Sequence, residues 1–190
     1  MPRGRTLDRR FSLADLMVLV AATGAGLAIL RPYREAMAGP NWQNASPHLR
    51  TIETLYGAWS CVAACWMLAL LALRLRRPRP GLGRLLVRPG HVACCVAAAA
   101  LALGGLHELV RIASRDPNRM PDSYQQLWIT VSSGVGPTVA GAWLLLALGG
   151  RWRPDPGWID RLGRLLGCCW IGWILLWTIP TPIRMRLIPW

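Results

Sequence analysis

Five long apolar stretches, each of roughly 20 residues, constrain this chain more than any other feature of its sequence, because about 20 apolar residues in a helix cross a bilayer core. A helix that is apolar on all sides must be surrounded by lipid or by other protein. We therefore predict an all-α fold: one integral membrane bundle of about five transmembrane helices, forming a single domain over residues 1–190. The predicted spans are 12–30, 55–73, 91–110, 126–148 and 162–179.

The beginning of the first span carries a helix-capping pattern. Ser12 and Asp15 have the spacing at which two side chains cap each other's backbone N–H groups. This apolar run also resembles a secretory signal, with a possible cleavage site at residues 36–38. The run is long, however, and Arg31 and Arg34 separate it from that site, so we predict a retained span. The polar, proline-containing stretch 31–50 is predicted to be a loop, and Ser46 followed by Pro47 predicts the cap and first turn of the second helix near its end.

Basic residues dominate the charged residues, with 22 Lys+Arg against 9 Asp+Glu, and every basic residue is Arg. They lie at the ends of the apolar runs, a position typical of topology signals and not of a nucleic-acid surface, so we predict no nucleic-acid partner. With the N-terminus inside, five spans place 14 Arg on the inner side and 8 on the outer side. The positive-inside rule then predicts a cytoplasmic N-terminus and an outer C-terminus.

Two short segments carry a family resemblance. The stretch 11–22, Phe-Ser-Leu-Ala-Asp-Leu-Met-Val-Leu-Val-Ala-Ala, resembles the start of small uncharacterised bacterial multi-span proteins, and the stretch 158–164, Trp-Ile-Asp-Arg-Leu-Gly-Arg, resembles them more loosely. The resemblance implies a bacterial inner-membrane location. It implies no activity and identifies no functional residue.

Six cysteines occur in pairs inside the apolar runs: Cys61 and Cys65, Cys94 and Cys95, Cys168 and Cys169. Thiolates bind soft metals, so a metal or redox cluster is one interpretation. Buried cysteine more often packs as a small hydrophobic residue, and apolar surroundings make a thiol inert. We predict packing residues, with no cofactor and no metal.

Histidine and glutamate residues near the outer ends of the helices form a second candidate site. His107 and Glu108 begin like a zinc-protease motif, but Arg111 occupies the position of the required second histidine. Convergence of His48, Glu53, His107 and Glu108 would favour an enzyme or metal site. We predict instead that these four residues are solvated or interfacial, and we identify no catalytic residue.

Small residues recur four positions apart on several predicted helices, which lets helix backbones approach closely in lipid. The sets are Ala22 and Gly26; Ser132, Gly136 and Ala140; Gly134, Thr138 and Ala142; Gly163 and Gly167; Cys168 and Gly172. These faces could also join copies of the chain or different chains. Trp170, Trp173 and Trp177 form a bulky stripe, predicted to face lipid or to pack.

The leading functional hypothesis is therefore non-enzymatic: a small structural, assembly or accessory membrane subunit. The central parts of the five runs lack ionisable residues, which weighs against an ion or proton path. A small transporter or channel-like protein is the alternative, because Ser132, Gly134 and Pro137 could break the fourth helix and expose carbonyls. A membrane-embedded enzyme or a metal or redox site comes third.

The segment 74–88 has the densest positive charge in the chain, with six arginines and no acidic residue. Basic residues beside a membrane attract anionic lipids. We predict that the segment binds anionic lipid headgroups through a set of five arginines: Arg76, Arg77, Arg79, Arg84 and Arg88.

Overall fold

A computed structural model describes residues 11–37, 47–75, 86–114, 128 and 132–178. Its regular structure in those ranges is helical, without strands, which confirms the predicted helical class. The helices are α1 (Leu13–Met37), α2 (Pro47–Leu75), α3 (Pro89–Ala113), α4 (Val135–Leu148) and α5 (Trp158–Thr178).

Three stretches within these helices are long and apolar enough to cross a membrane, namely Leu13–Glu35, Arg50–Leu75 and Pro89–His107. Helix α4 is apolar but has only 14 residues, and α5 begins with Asp160, Arg161 and Arg164 in its first two turns. Length and composition therefore indicate a membrane protein and support three of the five predicted spans directly.

The helices extend beyond the apolar runs, and the prediction of a loop over 31–50 is wrong at its beginning. Helix α1 continues through Pro32 to Met37, whereas α2 begins at Pro47, where the Ser46–Pro47 pair predicts its first turn. Tertiary packing explains the extension of α1, because Tyr33 in its final turns is fully buried, with its ring directly against Gly57 of α2. That contact offsets the backbone hydrogen bond that a proline cannot donate.

The fourth predicted helix is described only in part. Within the predicted span 126–148, α4 itself covers Val135–Leu148. Ser132 and Ser133 are also helical, and Gly134 between them and α4 keeps right-handed helical backbone angles, with φ −72° and ψ −18°. Residues 126, 127 and 129–131 lie outside the described residues.

One continuous apolar core joins all five helices. It includes Leu19 of α1, Met67 of α2, Ala97 of α3, Val139 of α4 and Trp170 of α5. Helix α1 packs on α2, α2 packs on α3 and α5, and α3, α4 and α5 pack on one another. Helix α2 therefore connects α1 to the three-helix group.

The start of α1 confirms the predicted cap. The Ser12 N–H donates to the Asp15 carboxylate at 3.1 Å, and the Asp15 N–H donates to the Ser12 hydroxyl at 3.2 Å. Asp15 is fully buried, so the reciprocal cap satisfies a charged group inside the bundle. The adjacent Phe11 ring packs edge-on against Trp158, with ring centroids 4.9 Å apart, which brings the starts of α1 and α5 together.

Small residues allow close helix contact at four of the predicted positions. A methyl group added at Gly136 would lie 2.9 Å from the Trp170 carbonyl oxygen, and one at Gly26 would lie 2.7 Å from the Val62 backbone. Gly163 approaches the Gly90 backbone, and Gly167 approaches Trp143, with equally little room. The internal helix contacts of these four glycines are therefore confirmed.

The remaining small-residue faces point outward. Gly134 and Gly172 have open space where a side chain would be, and Thr138 and Cys168 are exposed. No described residue of another helix lies within 4 Å of a side-chain carbon placed at Gly134 or Gly172, so the predicted helix contact is not seen there in the described part of the chain and stays a prediction. Trp170, in contrast, is buried, and Trp173 stacks on Tyr56 with ring centroids 5.4 Å apart.

Two glycines of α4 provide a matched test of the packing. Gly136→Ala should destabilise the protein by roughly 1–3 kcal/mol, because the Trp170 carbonyl of α5 must move away from the new methyl group. Gly141→Ala, where nothing lies within 4 Å, should be neutral or stabilising by up to about 1 kcal/mol through helix propensity. Thermal unfolding in detergent measures both, and equal melting temperatures for the two variants would contradict the described packing.

Candidate functional site

Charged side chains gather where the end of α2, the start of α3 and the start of α5 meet. We call Arg74, Arg88, Asp155, Asp160 and Arg164 the arginine–aspartate cluster. Arg74 lies in the last turn of α2, and Arg88 directly precedes the first residue of α3. Asp155 lies in the link between α4 and α5, and Asp160 lies in the first turn of α5. Four separate parts of the chain thus depend on one group of charges.

Asp155 binds two arginines at once. Arg74 Nη2 donates to Asp155 Oδ2 at 2.9 Å, and Arg88 Nη1 contacts the same oxygen. The side chain of Arg74 is only 14% exposed to solvent, that of Asp155 13% and that of Arg88 21%. Little water reaches the ion pairs, so removal of the carboxylate would leave two largely buried cations unpaired.

Asp160 connects α5 to α3 and to the link before α5. Its Oδ1 accepts the Gly90 N–H at 2.9 Å, and its Oδ2 accepts the Asp155 N–H at 3.1 Å. Arg164, one helical turn further along, forms an ion pair with Oδ2 at 3.3 Å, as its spacing of four residues allows. The carboxylate therefore satisfies a backbone donor at the start of α3 that the helix itself leaves free.

The environment of Asp160 acts on its acidity in two directions. Burial raises the pKa of the Asp160 carboxyl above its ordinary value, because the charged form loses its hydration. The N–H groups of Asp155 and Gly90 and the Arg164 guanidinium oppose that shift. Only 3% of the residue is exposed, so these partners replace the water that an aspartate normally binds.

The headgroup prediction falls only partly within the described residues. Arg76, Arg77, Arg79 and Arg84 lie outside them, whereas Arg88 is described and contacts Asp155. The segment 74–88 contains no acid, yet two of its six arginines, Arg74 and Arg88, are paired. Their partner Asp155 lies 81 residues after Arg74, where the local sequence cannot reveal it. The headgroup hypothesis stays a prediction.

The prediction that His48, Glu53, His107 and Glu108 are solvated or interfacial is met at His107 and stays a prediction for the other three. His107 is exposed in α3, while the side chains of His48, Glu53 and Glu108 lie outside the described part of the chain. His91 instead contacts a cysteine, with 3.4 Å between its Nε2 atom and Cys95 Sγ. The spacing of four residues in a helix could have indicated this contact from the sequence.

The cysteines differ in exposure. Cys61 and Cys94 are buried, Cys168 is exposed, and the other three are half-buried; all six are free thiols. Among the described residues, no group of three or more His, Cys, Asp and Glu side chains is placed to hold a metal ion. The interpretation of the cysteines as packing residues stays a prediction, and the structure supports it most clearly for Cys61 and Cys94.

A buried hydrogen-bond network lies toward the opposite end of the bundle. The hydroxyls of Tyr56 and Ser132 are 2.6 Å apart, and Ser132 also donates to the Trp128 carbonyl at 2.7 Å. The Trp128 indole N–H donates to Ser60 Oγ at 2.6 Å, and Ser60 donates to the Gly57 carbonyl at 3.2 Å. These bonds hold the residues that precede α4 against α2. Ser132 is thus engaged in tertiary structure, with no histidine among these hydrogen-bond partners.

Comparison of the chain with models of protein families, with curated proteins and with solved structures finds no match.

Two carboxylates offer a matched test of the cluster. Asp155→Asn should lower the free energy of unfolding by roughly 2–4 kcal/mol, because Arg74 and Arg88 lose the only negative charge that they share in the described contacts. Glu35→Gln removes a carboxylate from the exposed Arg31–Glu35 pair, whose side chains are 83% and 66% exposed, and should cost at most about 1 kcal/mol. Thermal unfolding in one detergent compares them, and similar small losses would show that Asp155 is not a structural anchor.

Proposed function

We propose that this chain crosses a bacterial inner membrane five times and acts as a structural, assembly or accessory subunit, not as an enzyme. The observation that carries the proposal is the manner of packing. Helices meet through glycines with no room for a methyl group, as at Gly136 and Gly163. Large apolar side chains such as Leu103, Leu145 and Met17 point outward. Such a bundle presents apolar surface to lipid or to other helices.

The cluster supports a cytoplasmic location for one end of the bundle. It unites the end of α2 with the starts of α3 and α5, as expected when consecutive helices alternate in direction. Those ends, together with the N-terminus, carry 14 of the 22 basic residues in a five-span arrangement. The positive-inside rule assigns this end to the cytoplasm. The segment 76–84 would then lie at the inner surface, within reach of anionic headgroups.

The core favours the structural role over transport. Gly134 keeps right-handed helical backbone angles before α4, which does not favour the broken helix of a transporter site, and the nearby Ser132 and Ser60 hydroxyls are bound to protein groups. Among the described residues, the carboxylates Asp155 and Asp160 are paired at one end of the bundle and not at its centre. Transport generally uses polar groups free to bind a substrate or a proton within the bilayer.

The proposal implies a defined orientation that reporter fusions can measure. Fusions after Arg88 should report the cytoplasm, and fusions after Asn44 and Trp190 should report the outer side, because arginine-rich segments remain inside. Paired reporters, one active only in the cytoplasm and one only outside, test each site. A cytoplasmic signal at Trp190 would exclude five spans.

A subunit also implies a protein partner, and the exposed face of α5 gives a position at which to disturb it. Gly172 is exposed with open space around it, so Gly172→Leu should fold normally but obstruct close approach of a partner helix. Ala102→Leu makes a similar enlargement on the exposed face of α3, beside the exposed Leu103. Tagged chains purified from native membranes in mild detergent are compared for co-purifying protein and for size.

We expect a companion protein, or a second copy of the chain, to co-purify with the wild-type chain in a constant molar ratio. The Ala102→Leu variant should give the same ratio. The yield of this companion should fall at least about fivefold with Gly172→Leu, since small residues permit the close packing that helix association in lipid requires. A monomeric wild-type chain without any companion would contradict the accessory-subunit proposal. If both variants capture the partner equally, the chain has a partner, but the exposed face of α5 is not where it binds.

A further inference from the structure

The link between α4 and α5 has a defined conformation. The Gly149 N–H donates to the Leu145 carbonyl at 3.0 Å, and the Arg151 N–H donates to the Leu146 carbonyl at 2.9 Å. Gly150 has a φ of 62°, a left-handed conformation that ends α4 and that glycine adopts without strain. Further along, the Arg153 N–H donates to the Val87 carbonyl at 3.1 Å, which attaches the link to the segment before α3.

Trp152 is held at the boundary between α4 and this link. Its ring packs edge-on against Trp143, with ring centroids 5.7 Å apart, and the Trp143 indole N–H donates to the Pro89 carbonyl at 2.8 Å. Trp152 nevertheless remains 39% exposed, and the neighbouring Leu148 is 77% exposed. A fixed, partly exposed tryptophan beside apolar helix surface is typical of the lipid headgroup region.

The acids at this end of the bundle face inward, together with only part of the arginines. Asp155 and Asp160 bind Arg74, Arg88, Arg164 and backbone N–H groups. The arginines of the link and of the exposed side of α5 remain on the surface. Trp152 lies between two of these arginines. We call the four exposed residues the arginine–tryptophan surface: Arg151, Trp152, Arg153 and Arg161.

We propose that the arginine–tryptophan surface binds the phosphate groups of anionic lipids, an inference that rests on the proposed membrane-spanning arrangement. Guanidinium groups bind phosphate oxygens in a bidentate manner. The acids nearest in sequence, Asp155 and Asp160, are occupied by other partners, so they do not neutralise the three surface arginines.

The chemistry of the surroundings identifies the ligand as a lipid. The exposed Leu145 and Leu148 lie in the last turn of α4, directly before the link that carries Arg151 and Trp152, so exposed apolar residues are followed at once by exposed cationic ones. An anionic phospholipid carries both complementary parts in one molecule: its acyl chains suit the leucines and its phosphate suits the arginines. A free phosphate ion or a nucleic acid would leave the leucines uncovered.

The test measures lipid bound to the purified full-length chain in neutral detergent. Dioleoyl phosphatidylglycerol and dioleoyl phosphatidylcholine are titrated separately, and native mass spectrometry counts the lipids retained. The wild-type chain should prefer phosphatidylglycerol, and the triple variant Arg151→Gln, Arg153→Gln, Arg161→Gln should weaken that binding by about tenfold or more. Excess inorganic phosphate should displace little lipid, because it lacks acyl chains.

Two further variants make the result specific. Arg31→Gln, Arg34→Gln, Arg50→Gln removes the same charge from exposed positions at the opposite end of the bundle and should retain the preference. Replacement of Arg76, Arg77, Arg79 and Arg84 by Gln tests the segment 76–84 separately. Three outcomes would overturn the inference. The preference for phosphatidylglycerol could be lost only in the variant of segment 76–84, or it could be lost equally in both triple variants. Inorganic phosphate could also displace the bound lipid.

Reporter fusions at Trp190 accompany the lipid measurement, so that orientation and lipid binding are assessed independently. If the surface triple variant loses the preference for phosphatidylglycerol while its orientation in the membrane is unchanged, the arginine–tryptophan surface is supported as a lipid site. Preserved lipid preference in the surface triple variant would overturn the inference even with the five-span orientation intact. A cytoplasmic Trp190 in the wild-type chain would instead reject the proposed topology, whatever lipid is bound.

Discussion

The charged end of this bundle depends on the hydrogen bonds and the ion pair that the Asp160 carboxylate makes. This carboxylate accepts N–H groups from Gly90 at the start of α3 and from Asp155 in the link before α5, and it pairs with Arg164. Through Asp155, the same network reaches Arg74 and Arg88. A single buried side chain thus positions the link, and the link positions Asp155 between the two arginines.

Close packing makes this arrangement possible. Gly90 lies against the backbone of Asp160, and Gly163 lies against the backbone of Gly90, so α3 and α5 approach nearer than side chains would allow. In the proposed membrane-spanning arrangement, lipid offers no hydrophobic incentive for helices to associate, so short backbone distances and hydrogen bonds supply the stability. Gly136 against Trp170 continues the same kind of contact between α4 and α5.

The two ends of the bundle use polar groups differently. At the charged end, acids are turned inward and Arg151, Arg153 and Arg161 remain outward. Toward the other end, neutral hydroxyls of Tyr56, Ser132 and Ser60 bind one another or backbone carbonyls. Both arrangements give these carboxylates and hydroxyls partners within the protein, as the proposed membrane environment would require because its core provides no water.

The sequence by itself determined the helical class, the apolar runs, the Ser12–Asp15 cap and the positions of the small residues, because each depends on local periodicity or residue size. Only the tertiary structure decided that Asp155 pairs with Arg74, 81 residues away, and which small residues meet another helix: Gly26, Gly136, Gly163 and Gly167 do, whereas Gly134 and Gly172 face outward. It also decided that α1 continues past Pro32, through the burial of Tyr33. These features depend on which helices become neighbours, and residue spacing along one helix does not encode that choice.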